Sequence, residues 1–210
     1  MVSPRRTSDG PRLAALAAAC AAIAACAVPA RAEWRTYTNC TMVAGDYHDG
    51  DSFAAQCGRR SYVFRLYFVD APETDGFYAD RVREQADYWN VTTNDVLCLG
   101  DEARRLTARF LRGGFAVQTR RQDAMGQGRK RYYAIVRADG VDLAEELVRH
   151  GLARVHGAGT DLADGTAENR VWSRLRQLER EARRTGAGAW GRRRPPAAGG
   201  GPAPPRVVPP

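Results

Sequence analysis

The order in which the hydrophobic periodicity changes along the chain restricts the fold more than any other feature. Apolar residues alternate or run together over residues 37–47, 52–57 and 61–69, and again over 115–119 and 132–138. Helical spacings lie between these two groups and after the second. Three strands, a helix, two strands and two helices in this order predict an α+β fold. We expect a five-stranded Greek-key barrel of the OB type with about three packed helices, although other α+β sandwiches also fit the pattern.

Turn and capping residues mark the ends of the first elements. Asp49-Gly50 predicts a two-residue hairpin turn, because Asp and Gly tolerate the positive φ that such turns require. Asp101 can cap a helix that ends at Gly113-Gly114. The segment 74–99 has no clean periodicity, and we interpret it as a long, partly helical excursion.

Two further helices are predicted after the second group of strands. Asp142 and Glu145 are spaced as a capping-box-like pair at the start of the first, which ends before Gly151. The second ends at Gly186. Its apolar residues follow the spacing i, i+4, i+7 and i+11, at Val171, Leu175, Leu178 and Ala182.

The first 32 residues are typical of a signal peptide. Arginines precede an apolar run over residues 13–28, which is shorter than the roughly 20 residues that span a bilayer. Ala30 and Ala32 supply the small residues at the two positions that a signal peptidase reads. We expect cleavage after Ala32 and a secreted or periplasmic protein without a membrane span. A lipobox-like sequence ending at Cys26 leaves open a lipid anchor there instead.

The other end, residues 191–210, is rich in Pro, Gly and Arg, and we expect a disordered tail. Residues 33–190 hold 24 Lys and Arg against 23 Asp and Glu, so the net charge of +8 comes mainly from the two ends. That charge therefore does not indicate a basic nucleic-acid-binding face. We expect residues 33–190 to form one domain and the protein to be a monomer.

Three cysteines remain after the predicted cleavage, in a compartment where thiol pairs tend to oxidise. Cys40 and Cys57 flank the predicted hairpin and are diagonal neighbours on one face of its strands, which permits a disulfide without requiring it. We predict that this bridge forms and that Cys98 stays free or pairs between chains.

An arginine inside an apolar strand, followed by two carboxylates, is the strongest chemical signal in the sequence. Arg65 lies within this strand, and Asp70 and Glu73 follow at its exit. A buried guanidinium needs anionic partners, so an isolated pair of this kind is typical of a structural ion pair. Acidic residues on the neighbouring hairpin, among them Asp51, and an arginine at the start of a later strand, Arg131, favour a functional cluster instead.

Together with the blocks that follow them, these residues make the sequence similar to the staphylococcal nuclease (thermonuclease) family. The similarity extends from about Met42 to Trp190, and several blocks in order are more specific than any one of them. The shared blocks are Asp49-Gly50-Asp51-Ser52, the segment from Arg65 to Glu73, Gly100-Asp101-Glu102-Ala103, Arg131-Tyr132-Tyr133-Ala134-Ile135-Val136, the segment from Glu145 to Ala153, and Gly188-Ala189-Trp190.

The resemblance implies an OB-fold, Ca²⁺-dependent phosphodiesterase that hydrolyses DNA or RNA and leaves 3′-phosphate ends. It implies that Asp51, Asp70 and the carbonyl of Ala71 hold the Ca²⁺ ion, with Asp49 as an acidic support. It also implies that Glu73 acts as a general base or orients the attacking water.

Arg65 and Arg131 are implied to bind the phosphate and the charge that develops on it. Lys130 replaces the glycine that usually precedes the second arginine of the family, and a two-residue slip would give that role to Arg129. We favour Arg131, because it lies at the mouth of the strand rather than in the preceding glycine-containing loop.

Two departures from the family affect the substrate groove. The segment between Glu73 and Asp101 is longer than in the secreted staphylococcal type. The family's nucleotide-stacking tyrosines are absent from residues 156–159, so we expect weak base discrimination and a steep salt dependence. Tyr88, Trp89 or Tyr132 could restore stacking from another side.

Three classes of function remain open. The first is an exported Ca²⁺-dependent nuclease, the second a noncatalytic OB-fold module that binds nucleic acid or protein, and the third an envelope-tethered structural protein. A degenerate module is expected to have lost part of the carboxylate and arginine set, and this sequence retains all of it. We therefore predict the nuclease.

Overall fold

The computed structural model describes residues 32–44, 48–124 and 130–192. The predicted signal peptide up to residue 31, the candidate lipidation site Cys26, and Arg129 lie outside these ranges, as does the tail from residue 193. Within the described part of the chain, no helix is both long and apolar enough to cross a membrane. The described chain ends at Arg192, which forms ion pairs with Asp95 and Glu102 and is therefore not a free, solvated charge.

The main strands and helices follow one another in the predicted order, and additional short strands lie between them. Their bounds are β1 Arg35–Met42, β2 Ser52–Cys57, β3 Arg60–Leu66, β4 Val69–Asp70, α1 Ala79–Trp89, α2 Thr93–Phe110, β5 Phe115–Thr119, β6 Arg131–Ala138, β7 Val141–Asp142, α3 Leu143–Arg149, β8 Arg154–Val155, α4 Glu168–Thr185 and a 3₁₀ helix Gly188–Gly191.

Five strands close into a ring and confirm the predicted OB-type barrel. The order around the ring is β1, β2, β3, β6 and β5, which pairs with β1 again. All these pairs are antiparallel except β3 with β6, which is parallel. Phe53, Phe64 and Val117 are buried within a hydrophobic core that continues beneath the helices through Leu99 and Leu147. The described residues form four α-helices rather than about three, because the segment 74–99 contains α1.

The predicted third strand, residues 61–69, is not continuous. It leaves the barrel after Leu66, and Phe68 has a φ of 72°. The chain then pairs with a different strand, since β4 is antiparallel to β8 with Asp70 opposite Arg154. Backbone hydrogen bonds that join Phe68 to His156 and Ala158 extend this contact. The change of partner places Asp70 at the barrel mouth.

The prediction that Asp101 caps a helix is wrong. Helix α2 begins eight residues earlier, at Thr93, and Thr92 and Asp95 form a reciprocal capping box. The block Gly100-Asp101-Glu102-Ala103 therefore lies in the middle of α2. A Cβ atom on Gly100 would lie 2.2 Å from the carbonyl oxygen of Glu73, so the glycine permits close packing of α2 on the loop that follows β4.

The reason given for the glycine in the first hairpin is also wrong. Gly50 does not have a positive φ. A Cβ atom there would lie 2.6 Å from the Cβ atom of Ala103 and 2.7 Å from that of Ala71. The glycine is therefore needed because the turn packs tightly between α2 and the chain after β4. Thr107 of α2 donates a hydrogen bond of 2.6 Å to the Gly50 carbonyl.

The later elements and the disulfide agree with the sequence. Asp142 caps α3 by accepting a backbone hydrogen bond from Ala144, and Gly186 ends α4 in the left-handed conformation. Cys40 and Cys57 form the predicted disulfide, and Cys98 is free and exposed. The β1–β2 register places the two bridged cysteines directly opposite each other, rather than diagonally.

Candidate active site

Two buried carboxylates and one guanidinium meet where three strands end. Asp51 immediately precedes β2, Arg65 lies near the end of β3, and Asp70 ends β4. The Nη2 atom of Arg65 lies 3.1 Å from Asp51 Oδ2 and 2.8 Å from Asp70 Oδ1. The structure therefore brings together three of the residues that the sequence selected, with both carboxylates converging on one point.

Asp70 is the most heavily contacted carboxylate of this cluster. Its Oδ1 atom also accepts from Arg81, at 2.9 Å, and its Oδ2 atom accepts from Arg154, at 2.9 Å, and from Gln85, at 3.1 Å. Burial opposes ionisation, but the guanidinium groups of Arg81, Arg154 and Arg65 outweigh it and hold the pKa of Asp70 below its usual value. Asp70 is therefore anionic at neutral pH.

The turn before β2 holds Asp51 in place. Asp51 Oδ2 accepts the backbone N–H of Ala71 at 3.0 Å, and Oδ1 accepts the hydroxyl of Ser52 at 3.0 Å. Asp49 in turn accepts the backbone N–H of Ser52, at 2.6 Å. Burial, reinforced by the charge of Asp51, raises the pKa of Asp49 well above its usual value. Asp49 thus supports the turn mainly through hydrogen bonds.

Glu73 lies beyond Pro72, at the more open side of the cluster. Its Oε1 atom accepts from Nε of Arg81 at 2.7 Å. The same arginine therefore joins Glu73 to Asp70. The Glu73 side chain keeps about a fifth of its surface exposed, whereas that of Asp70 is almost fully buried. Glu73 is consequently the carboxylate of the cluster that solvent can reach.

Gln85 of α1 fixes three groups of the site at once. Its side-chain amide donates to Asp70 Oδ2 and, at 2.9 Å, to the carbonyl of Ala71, while its oxygen accepts the backbone N–H of Glu73 at 2.9 Å. Gln85 is fully buried. A buried amide that makes all these hydrogen bonds holds its partners in a fixed orientation. Breaking any one bond would leave a buried polar group that water cannot reach, which costs free energy.

Arg131 is the first residue of β6, opposite Val63 of β3. Tyr133, two residues later, is opposite Arg65. Since side chains on one strand face alternate sides, Arg131 and Tyr133 share a face, as do Val63 and Arg65. Among the described residues, no ion pair joins Arg131 to the carboxylates. The structure thus places Arg131 on the strand adjacent to that of Arg65, two residues from the position opposite Arg65.

Residues of α1 form a wall of the site that sequence reasoning missed. Arg81, Glu84 and Gln85 are spaced i, i+3 and i+4, so they share one helix face. Glu84 forms an ion pair of 2.9 Å with Arg154, whose side chain also contacts Asp70. The spacing was visible in the sequence, but nothing local indicated that this face packs on Asp70.

The donor set suits a hard cation. Asp51, Asp70 and the Ala71 carbonyl offer oxygen atoms only, with no nitrogen or sulfur donor. In the part of the chain that the structure describes, no three His, Cys, Asp or Glu side chains form a cluster that could hold a metal. Two carboxylates and a backbone carbonyl can hold a cation that keeps several water ligands. Such an ion would replace the arginine contacts that these carboxylate oxygens make in the structure.

The aromatic residues proposed to replace the missing stacking tyrosines differ in how much of their surface solvent can reach. Trp89 is 3% exposed and belongs to the hydrophobic core, so it cannot stack on a base. Tyr88 donates its hydroxyl to Glu179 and is partly buried, and burial raises its pKa to about 12. Tyr132 is partly buried and packs against Tyr62. Trp89 is thus excluded as a stacking residue, whereas Tyr88 and Tyr132 keep part of their surface exposed.

Comparison with known protein families identifies the domain. The sequence profile described as staphylococcal nuclease homologue matches residues 63–192. This range covers more than half of the chain and includes Arg65, Asp70, Glu73 and Arg131, whereas Asp51 lies before it. The chain belongs to the staphylococcal nuclease family. No curated protein sequence matches the chain.

Proposed function

We propose that the protein is an exported, Ca²⁺-dependent nuclease that hydrolyses phosphodiester bonds of DNA, RNA or both. The observation that carries the proposal is the contact of one arginine nitrogen with two buried carboxylates, Asp51 and Asp70, in a domain of this family. Family membership alone supports a nuclease, and the retained cluster is what favours catalysis.

Asp51, Asp70 and the carbonyl of Ala71 would hold the ion. When bound there, Ca²⁺ would supply a Lewis acid that polarises a phosphate oxygen. Gln85 orients two of these three groups, which keeps their oxygens directed at one point. Arg65, whose pKa is raised by Asp51 against the effect of burial, remains charged throughout.

Glu73 would orient the attacking water and accept its proton. Arg81 occupies Oε1 of this carboxylate, which leaves Oε2 for the water. Attack at phosphorus with departure of the 5′-oxygen gives a 3′-phosphate end. Arg65 and Arg131 would bind the phosphate oxygens, since planar guanidinium groups can contact two oxygens at once and stabilise the additional negative charge.

Export is supported by the disulfide between Cys40 and Cys57, because such bonds persist in oxidising compartments. The signal peptide, its cleavage after Ala32 and the alternative lipid anchor at Cys26 remain part of the proposal. They all lie at the edge of, or outside, the described residues.

The decisive experiment is digestion of single-stranded DNA, double-stranded DNA and RNA by the mature chain, residues 33–210, during a Ca²⁺ titration. We expect cleavage with Ca²⁺, loss of cleavage in EDTA and poor activity with Mg²⁺, which demands a more regular octahedral geometry. The Glu73→Gln variant is the matched inactive control, because Gln cannot accept the proton.

Two outcomes would contradict the proposal in different ways. Full activity in EDTA would exclude the metal requirement. Absence of cleavage of all three substrates in Ca²⁺, with retained binding of an oligonucleotide, would favour the alternative of a noncatalytic OB-fold binding module.

A further inference from the structure

Two aromatic side chains beside the candidate active site are exposed to an unusual degree. Phe77 is 83% exposed and Tyr78 is 56% exposed. Only one other large hydrophobic residue in the described ranges, Val141, is comparably exposed. Single exposed apolar residues are common, but adjacent exposed aromatic side chains form a contiguous apolar patch, which is typical of a binding site.

The two rings form one ordered unit. Their centroids are 4.9 Å apart and their planes are nearly perpendicular. The backbone N–H of Phe77 donates to the side chain of Asp75 at 2.9 Å, and the carbonyl of Tyr78 accepts the first hydrogen bond of α1, from Val82. The backbone beneath both rings is thus held, while the rings themselves face solvent.

Phe77 and Tyr78, called the rim pair below, lie close in sequence to residues of the candidate active site. Phe77 is four residues after Glu73, and Tyr78, the N-cap residue of α1, is three residues before Arg81. Arg81 contacts both Glu73 and Asp70, and its side chain is 41% exposed. The exposed aromatic pair therefore lies within four residues, along the chain, of a carboxylate and a partly exposed cation of the cluster.

We propose that Phe77 and Tyr78 form a nucleobase-binding subsite, on which a base of a single-stranded nucleic acid stacks next to the phosphate to be cleaved. The inference rests on the proposed nuclease function and specifies its substrate as a strand with unpaired bases. Aromatic rings beside an arginine match the chemistry of such a strand, because bases stack on ring faces while the backbone is anionic.

The subsite also accounts for the absence of tyrosines at residues 156–159. That wall is tied by backbone hydrogen bonds to Phe68 and carries no Phe, Tyr or Trp side chain. The longer segment between Glu73 and α2 carries the aromatic surface instead, on the loop that leads into α1. Base stacking is thereby provided by a different part of the chain.

The test compares two ligands of equal charge, a dT decamer and an abasic decamer with the same phosphate backbone. Binding is measured by fluorescence anisotropy in EDTA, with Glu73→Gln as the parent protein, so that no cleavage occurs. Phe77→Ala/Tyr78→Ala is the test variant. Val141→Ala is the matched control, because Val141 is exposed but lies on β7, which pairs with the end of β6 opposite to Arg131.

We expect the double variant to weaken binding of the dT decamer by about 5- to 150-fold per stacked base. Binding of the abasic decamer stays unchanged, and Val141→Ala alters neither Kd. Because both rings are exposed, the thermal midpoint of the variant also stays unchanged. Equal effects on both ligands, or no effect on the dT decamer, would overturn the inference.

Failure of this inference is distinguishable from failure of the proposed function. Cleavage by the unmodified protein, combined with unchanged dT affinity of the double variant, rejects the subsite and retains the nuclease. Selective loss of dT binding in a protein that never cleaves supports the subsite and rejects catalysis. Loss of self-association in sedimentation equilibrium, with unchanged dT affinity, would assign the rim pair to an interface between copies and overturn the proposal.

Discussion

The two sides of the candidate site are built by different means. On the barrel side, Asp51, Arg65 and Asp70 are placed by strand register and by the change of strand partner after Leu66. On the helical side, Arg81 and Gln85 are placed by packing of α1 against the mouth of the barrel. The positions of the first group follow from the pairing of neighbouring strands. The positions of the second group depend on how the whole helix packs against the barrel.

Two of the three arginines that contact Asp70, Arg65 and Arg81, show what this difference means physically. The side chain of Arg65 is 16% exposed and contacts two buried carboxylates, so removing its charge leaves both without their common partner. The side chain of Arg81 is 41% exposed, and solvent can replace part of what it contributes. We therefore infer that the barrel side carries the charge essential to chemistry and that the helical side adjusts it.

The largest expected effect is that of Arg65→Lys, compared with Arg81→Lys. Lysine keeps the charge but lacks the planar fork, so Arg65→Lys lowers kcat by about 10²- to 10³-fold, while Arg81→Lys lowers it by less than about tenfold. The measurement is kcat on single-stranded DNA at saturating Ca²⁺. Arg83→Lys is the control on the same helix, because Arg83 pairs only with the exposed Asp80 among the described residues.

Equal losses in both test variants would break the distinction between the two sides. They would show that Arg81 contacts the phosphate in the transition state, together with Arg65. A normal rate for Arg65→Lys would contradict the proposed role of Arg65 itself.

The next effect concerns the stability of the barrel side. The disulfide joins β1 to β2, across a sequence separation of 17 residues, and Asp51 lies in the connection that it closes. Restricting a loop of this size in the unfolded chain is worth up to about 3 kcal/mol. We expect Cys40→Ser/Cys57→Ser to lose up to that much unfolding free energy in urea titrations.

Cys98→Ser is the matched control, since Cys98 is free and exposed on α2, and its unfolding free energy is expected to stay within about 0.5 kcal/mol of the parent. If the double serine variant is as stable as the parent, the bridge does not constrain the barrel side. A bridge between Cys57 and Cys98, found by nonreducing peptide mapping, would contradict the observed pairing.

The smallest effect tests the helical side. Gln85→Leu removes the hydrogen bonds to Asp70, to the Ala71 carbonyl and to the Glu73 N–H, and we expect a loss of about 1–3 kcal/mol of unfolding free energy. As a positioning residue, Gln85 should affect metal affinity more than the chemical step. The Ca²⁺ concentration for half-maximal activity rises several-fold, while kcat at saturating Ca²⁺ changes less.

Gln85→Glu separates positioning from a general loss of packing. It keeps the size and the acceptor oxygen but replaces the donor amide with a carboxylate facing Asp70, so it should not restore the metal affinity of the parent. An unchanged Ca²⁺ requirement in both variants would show that α1 supports the fold without orienting the site.

The sequence predicted the barrel side of the site because its signals are local. Arg65, Asp70 and Glu73 lie within nine residues, and the period-two pattern placed Cys40 and Cys57 across one hairpin. The start of α2 is also encoded locally, in the capping box of Thr92 and Asp95. Asp101 is a suitable capping residue by type as well, but it lies within the helix, so residue type alone pointed to the wrong start.

What the sequence by itself determined is the order of the main strands and helices, the α+β class and the charged groups on the barrel strands, since each follows from periodicity and short-range signals. Only the tertiary structure decided that α1 directs Arg81 and Gln85 at Asp70, that Trp89 is buried, and that Phe77 and Tyr78 remain in solvent. The physical reason is that an amphipathic helix specifies only which of its faces is apolar. Where helices dock depends on close packing between elements that are distant in sequence, such as the packing that Gly50 and Gly100 permit.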